Sequence, residues 1–289
     1  MQYPIKFLKE MEPERYALVE SDNQKEFDLF KKIRLTYDPL RNTKLIKFNY
    51  DFHKTKEANK LLSNIKDSDN YIPVYEGKSM NQFRIFPDKV VYKVAKESIE
   101  EKVGDLYKKY RIGLRAIASA TNKRSLIATL LPHNVTSTQS LQTQRNVDQT
   151  SVKEQLFYLG FLNSYVLDFV LRQLISMAVN LIYLQQLPLP KITDIKDNKN
   201  IIQITKELLM ENKGYYQDLD ELVQGDAYQN CSHDELIAEL NARVMLDFNL
   251  TRQEVVTLMH TFESAAHKKE VQEETQRILN CYDRLSEDR

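Results

Sequence analysis

The sequence predicts an α+β protein, with a mixed, strand-containing domain over residues 1–192 and a helical C-terminal region over 193–289. Three observations lead there. Apolar residues alternate with a two-residue period in Leu45–His53, the spacing of a strand with one buried face. Three S/T-x-x-E boxes, Ser151/Glu154, Ser232/Glu235 and Thr251/Glu254, mark helix starts in the second half, since each pairs two side chains with the orphan amides of a first helical turn. Between the halves lies Leu187-Pro-Leu-Pro190, which can continue neither a helix nor a central strand.

Taken in order, Tyr16–Glu20 is a short apolar run, and Gln24–Arg34 sets Phe27, Phe30 and Ile33 at the spacing of a short amphipathic helix. In the first strand Ile46, Phe48, Tyr50 and Phe52 alternate with Leu45, Lys47, Asn49 and Asp51. Tyr71–Tyr75 and Val90–Ala95 are further strands, and Pro73, which has no amide hydrogen to give a ladder, puts the first of them at an edge. Arg111–Ala120 and Ser125–Leu131 are rich in Ile, Leu and Ala, and periodicity leaves strand and helix open there. Ser151 opens an apolar helical segment through Phe161, Tyr165, Phe169 and Leu174, whose aromatic stripe reads as core. Beyond the prolines, helices are expected over Asn198–Asn212, His233–Phe248, Arg252–Phe262 and Lys268–Leu285. The last carries Val271, Thr275, Ile278, Tyr282 and Leu285 on one stripe, as a helix packed along a partner would, so self-association through the C-terminal helices is expected.

Composition narrows the function classes. Apolar residues are 42% and charged residues 28% of the 289, an ordinary globular balance. Cys231 and Cys281 cannot form a disulfide scaffold and make no C-x-x-C pair. The first fifteen residues carry Lys6, Lys9, Glu10, Glu12, Glu14 and Arg15 without an apolar stretch, so no secretory signal is read. Leu156–Leu171 is broken by Asn163 and Asp168 and is too short to span a bilayer. A cytoplasmic location with no membrane contact is expected.

The net charge of zero conceals an asymmetry: residues 1–150 hold 27 Lys and Arg against 19 Asp and Glu, and the remainder 14 against 22. Leu106–Val147 contains no acidic residue, yet holds Lys108, Lys109, Arg111, Arg115, Lys123, Arg124 and Arg145. Such a run is either a face for a polyanion or an ordinary solvated basic face.

Familiar chemical signatures are absent. The six glycines never fall two within three residues, which excludes dinucleotide and P-loop fingerprints. The five histidines and two cysteines are too dispersed for a zinc signature, and His260 and His267 read as surface residues. One fragment, Glu76-Gly-Lys78 with Asp51, Asp67 and Asp69 upstream, has the E-x-K composition of metal-dependent nucleases, in which acids hold a cation and Lys lies beside the attacking water. It reads equally as a turn closed by Gly77. A metal-dependent nuclease is therefore one alternative, and a non-enzymatic helical assembly subunit another.

Four separated segments form an ordered set: Phe52–Leu62, Pro73–Phe83, Tyr110–Pro132, and Leu159–Phe169 running to Gln186-Leu-Pro-Leu-Pro190. Together they resemble the C-terminal target-recognition (specificity) region of adenine-specific DNA methylases from single-chain restriction–modification and related phage-exclusion systems, over about residues 45–262. The resemblance implies a module that reads a short sequence in double-stranded DNA. It would present that site to a methylase domain or subunit, which flips out an adenine and methylates N6 with S-adenosylmethionine. The family's methylase domain precedes this region and carries a glycine-rich cofactor loop and an Asn-Pro-Pro-Tyr/Phe motif. This sequence has no Asn-Pro dipeptide, so a recognition fragment or separately encoded specificity subunit is expected, with no enzyme activity and no cofactor of its own.

Phosphate contacts need Lys and Arg, and base contacts need Arg, Lys, Asn, Gln, Ser or Thr. The basic run offers both, in Thr121, Asn122, Lys123 and Arg124, in the polar series Thr136–Ser140, and in Gln142–Arg145. Lys123 and Arg124 are assigned to a phosphate or a guanine edge, with Arg111, Arg115, His133, Asn134 and Arg145 completing the DNA-binding set. For Arg111 and Arg115 a second reading stands: stems packed beside Ile112 and Leu114, with heads paired structurally. Calorimetric titration of the protein with S-adenosylmethionine is expected to be flat, and a micromolar dissociation constant would contradict the reading of this chain as a recognition module alone.

Overall fold

A computed structural model describes residues 23–66, 68–116, 122–174, 181–225, 228 and 230–287. Its first helix, α1 (Gln24–Thr36), starts where the Asn23 side chain accepts from the Glu26 amide at 3.0 Å, and it buries Phe27, Leu29, Phe30 and Ile33. A single turn, α2 (Leu40–Thr43), follows. The strands come next: β1 (Phe48–Asn49), β2 (Leu62–Ser63), β3 (Tyr71–Tyr75), β4 (Met80–Asn81), β5 (Arg84–Ile85) and β6 (Tyr92–Ala95). After α3 (Lys96–Val103) come β7 (Arg111–Arg115), β8 (Ala128–Leu131), β9 (Thr136–Ser137) and β10 (Leu141–Gln144).

One antiparallel sheet has the order β1-β10-β7-β8, a second has β2-β6-β3-β9 with β9 parallel to β3, and β4 and β5 form a hairpin. β7 and β8 are strands, which settles the ambiguity of two apolar runs. β8 is buried throughout and β7 nearly so, and a strand covered on both faces shows no alternation. The edge expected for the Pro73 strand is corrected, since β3 lies between β6 and β9. Proline is tolerated because pairing with β9 begins only at Val74.

The rest is helical: α4 (Val152–Leu162), α5 (Tyr165–Leu174), α6 (Leu181–Leu184), α7 (Asn198–Leu209), α8 (Leu219–Leu222), α9 (His233–Asp247), α10 (Arg252–His260) and α11 (Lys268–Glu287). All three capping boxes close as the sequence indicates. The apolar segment after Ser151 breaks into two helices at Asn163, whose side chain exchanges hydrogen bonds with the Ala128 backbone at 3.0 and 2.9 Å and so stands in for a strand beside β8. None of these helices is long and apolar enough to cross a membrane.

The switch from strands to helices falls after β10, well ahead of the expected division at 192/193, and packing continues across that division. One apolar core takes in Phe30 of α1, Ile112 of β7, Phe157 of α4, Ile204 of α7, Val244 of α9 and Ile278 of α11. Gly160 lets α4 and α7 meet closely, because a Cβ there would lie 2.7 Å from Thr205 Oγ1 and 3.0 Å from Ile201 Cγ2. The stripe of α11 has its partner inside the chain: Val271, Ile278 and Tyr282 are buried where α11 lies along α9 and α10, and Tyr282 donates to the Leu250 carbonyl at 2.6 Å. The apolar stripe expected to meet a partner is thus covered from within the chain.

The two four-stranded sheets meet at Asp51. The alternation expected over Leu45–His53 puts it on a polar face, but the strand is only Phe48–Asn49 and Asp51, just past its end, is fully buried. Arg111 of β7 donates to both its oxygens at 3.0 Å, Arg145 pairs with it at 3.0 Å, and Thr136, Ser137 and Thr143 add hydroxyl or amide bonds. Burial alone would raise the Asp51 pKa, but Arg111 first, then Arg145 and Thr136, outweigh it and hold the carboxyl below its ordinary value. A carboxyl depressed in this way stabilises the fold above its unfolded pKa of about 3.9, and that stabilisation fades as pH falls through the lower folded value. Arg111→Met leaves the buried charge with fewer partners and is expected to lower unfolding free energy by about 3–5 kcal/mol, read as a shifted urea midpoint; adding Asp51→Asn should recover part of the loss.

Candidate nucleic-acid interface

Of the eight assigned residues that the structure describes, the most deeply buried is Arg111, at 0% exposure and closed on Asp51 and the Val135 carbonyl at 3.0 Å. Its assignment to DNA is corrected, and the structural pairing is the one found. Arg124 stacks 4.0 Å over the Tyr165 ring, donates to Asp168 at 2.7 Å and to the Asn163 carbonyl at 2.6 Å, and keeps only 10% of its side chain exposed. Removing it would strand a fully buried Asp168, so its place at a phosphate or guanine edge is corrected as well. Arg145 is held by Asp51 and the Tyr50 carbonyl, and Arg115 by the Met80 carbonyl. Lys123 reaches Glu270 at 2.7 Å and Glu274 at 3.0 Å, both on α11. Asn122 is exposed, and its carbonyl accepts from Arg172. Asn134 is exposed at φ 58°, the left-handed region Asn tolerates, and its amide donates to the Tyr107 carbonyl at 2.8 Å. His133 is exposed and stacks on Tyr110 at 4.0 Å. Thr121 lies outside the described residues.

The acid-free run is thus acid-free in sequence but not in space. Lys108 pairs with Asp105 and Lys109 with Asp148, the acids that flank the run, while Arg111, Arg145, Lys123 and Arg124 find theirs at Asp51, Glu270, Glu274 and Asp168. Each cation of the run has a partner in the fold.

A different basic surface forms where four loops converge. The Lys54 amide donates to Gln139 Oε1 at 2.7 Å, and the Gly77 amide to Ser140 Oγ at 3.0 Å. The Thr138 amide donates to the Tyr75 carbonyl at 3.1 Å, and the Ala116 amide to the Ser140 carbonyl at 2.9 Å. Gly77 lies flat against Arg115, whose Cγ would be 3.3 Å from a Cβ at that position. Residues 52–56, the turn 76–79, the turn 138–140 and the end of β7 therefore form one unit. It presents Lys54 and Lys78 with side chains 43% and 53% exposed, together with exposed Thr55 and Lys56 and half-buried Gln139 and Ser140. Glu76 lies in the floor, 2.8 Å from Lys54 and 3.4 Å from Lys78.

This geometry bears on the nuclease alternative. A divalent cation at Glu76 would have to displace two ammonium groups, and Asp51, one of the three upstream acids, is closed on Arg111 and Arg145. Asp67 lies outside the described residues, and among those described no three His, Cys, Asp or Glu side chains are grouped to hold a metal.

No protein-family model matches the chain, and no curated protein matches it significantly. Lys54, Lys56 and Lys78 fall in the first two segments of the resembling set but outside the basic run, and density of charge along a sequence does not report where its counter-charges fold. Thermal unfolding separates the two kinds of residue: Arg124→Ala should cost at least about 2 kcal/mol by stranding a buried carboxylate, whereas His133→Ala should stay within about 0.5 kcal/mol.

Proposed function

We propose that this protein is a sequence-specific double-stranded DNA recognition module of an adenine-N6 methylation system, working beside a methylase domain or subunit that binds S-adenosylmethionine. In this reading the chain positions DNA and transfers no methyl group. The observation that carries it is the convergence of Lys54, Lys56 and Lys78 with Thr55, Gln139 and Ser140 on one loop unit. Lysines supply sequence-independent phosphate contacts, and amides and hydroxyls between them supply base-edge donors and acceptors. Lys54 and Lys78 share a single carboxylate, so the pair retains positive charge. The loops are held to each other by backbone and side-chain bonds and to both sheets through the Asp51 cluster, which fixes their spacing before DNA arrives.

Duplex affinity should fall with salt by about 0.9 log unit per phosphate contact per decade. Lys54→Ala, Lys56→Ala and Lys78→Ala should each lower that slope by about one unit on every duplex, and Lys123→Ala should leave it unchanged, as measured by fluorescence anisotropy. A wild-type slope near zero would contradict the proposal.

A further inference from the structure

We propose that Glu76 reads the exocyclic amino group of a cytosine or an adenine in the major groove, with Lys78 as its movable cover; this rests on the DNA-recognition reading above. Glu76 is 7% exposed, yet its two oxygens are unequally served. Oε1 accepts from Lys54 at 2.8 Å, while Oε2 has no hydrogen-bond partner among the described residues. The group nearest in charge is the Lys78 ammonium, at 3.4 Å, on a side chain more than half exposed. A buried carboxylate oxygen without a hydrogen bond is unfavourable, and native structures keep few of them. This one lies beneath the lysine that the salt-dependence argument assigns to a phosphate.

The two roles are compatible. When a phosphate draws the flexible Lys78 ammonium outward, Oε2 is uncovered toward the groove while the Lys54 bond to Oε1 keeps the carboxylate fixed. In the major groove only cytosine N4 and adenine N6 present amino donors. Guanine offers O6 and N7 and thymine O4, all acceptors that a carboxylate repels. Glu76 would therefore select by attraction to two bases and repulsion of the other two, the two routes by which specific interfaces discriminate. Gln139, bonded to the Lys54 amide, stands beside it as a second polar group on the same unit.

The test is selection from a randomised duplex library with the wild type, Glu76→Gln, Glu76→Ala and Lys78→Ala, each first checked for folding by circular dichroism and thermal melting. Glu76→Gln keeps an acceptor for Lys54 and serves if the alanine variant fails to fold. The wild-type site is expected to hold one position restricted to cytosine or adenine. Discrimination there against guanine and thymine should fall about tenfold or more in the Glu76 variants, with other positions unchanged. Lys78→Ala should keep the restriction and weaken all duplexes alike. Replacing the selected base by 2-pyrimidinone (for cytosine) or purine (for adenine), each lacking the amino group, should reproduce the Glu76 loss and identifies which base is read. A wild-type site whose every preference survives in both Glu76 variants would overturn the inference while leaving DNA recognition standing; a wild type that selects no site would overturn both.

Discussion

Asp51 carries a negative charge into the junction of two sheets, where water cannot reach it, and the positions of the surrounding strands follow from how that charge is satisfied. Arg111 comes from β7 and Thr143 from β10, both of one sheet; Thr136 and Ser137 come from β9 of the other. Shifting either sheet would break hydrogen bonds to a buried carboxylate, and several kcal/mol stand against leaving such a group unpaired. The same cluster reaches the surface loops. Residue 52, next in chain, donates its amide to the Ser137 carbonyl at 3.0 Å, and Lys54 then bonds to Gln139. A buried ionic cluster is an expensive way to hold two sheets together, but it specifies register in a way that apolar contact alone does not.

The charge pattern of the chain takes its meaning from this packing. Residues 106–147 are rich in cations because the fold needs buried or half-buried guanidinium and ammonium groups to meet Asp51, Asp168 and the carboxylates of α11. Surface ion pairs contribute little to stability, so Lys108 and Lys109 are minor in energy. Arg111 and Arg124 are different, since each meets a carboxylate with no exposed surface. Excess positive charge emerges instead where lysines share a carboxylate or stand exposed, at the loops around Glu76.

Much of the fold was legible in the sequence because local rules decided it. Ser151, Ser232 and Thr251 cap their helices as their spacing demands, and the period of Phe27, Phe30 and Ile33 places α1 correctly. What local pattern could not give was long-range pairing. Asp51 occupies a polar position in an alternating sequence pattern, and nothing near it in sequence announces Arg111, 60 residues on, as its partner. Arg124 and Asp168 are 44 residues apart, and Lys123 and Glu270 147. The stripe on α11 was read correctly as a packing face, but only the fold reveals that α9 and α10 cover it. The candidate site suffered most, because a cation's availability depends on partners that sequence distance hides.

The central claim is that the loop unit around Glu76, and not the basic run, faces DNA. Titration of the isotopically labelled protein with duplex DNA, followed by amide chemical shifts, tests it most directly. Saturating duplex should shift the amides of Lys54, Lys56, Gly77, Lys78, Gln139 and Ser140 and leave those of Arg111, Arg124 and Asp168 in place. Shifts confined to residues 106–115 and 122–124, with the four loops unmoved at saturation, would contradict it.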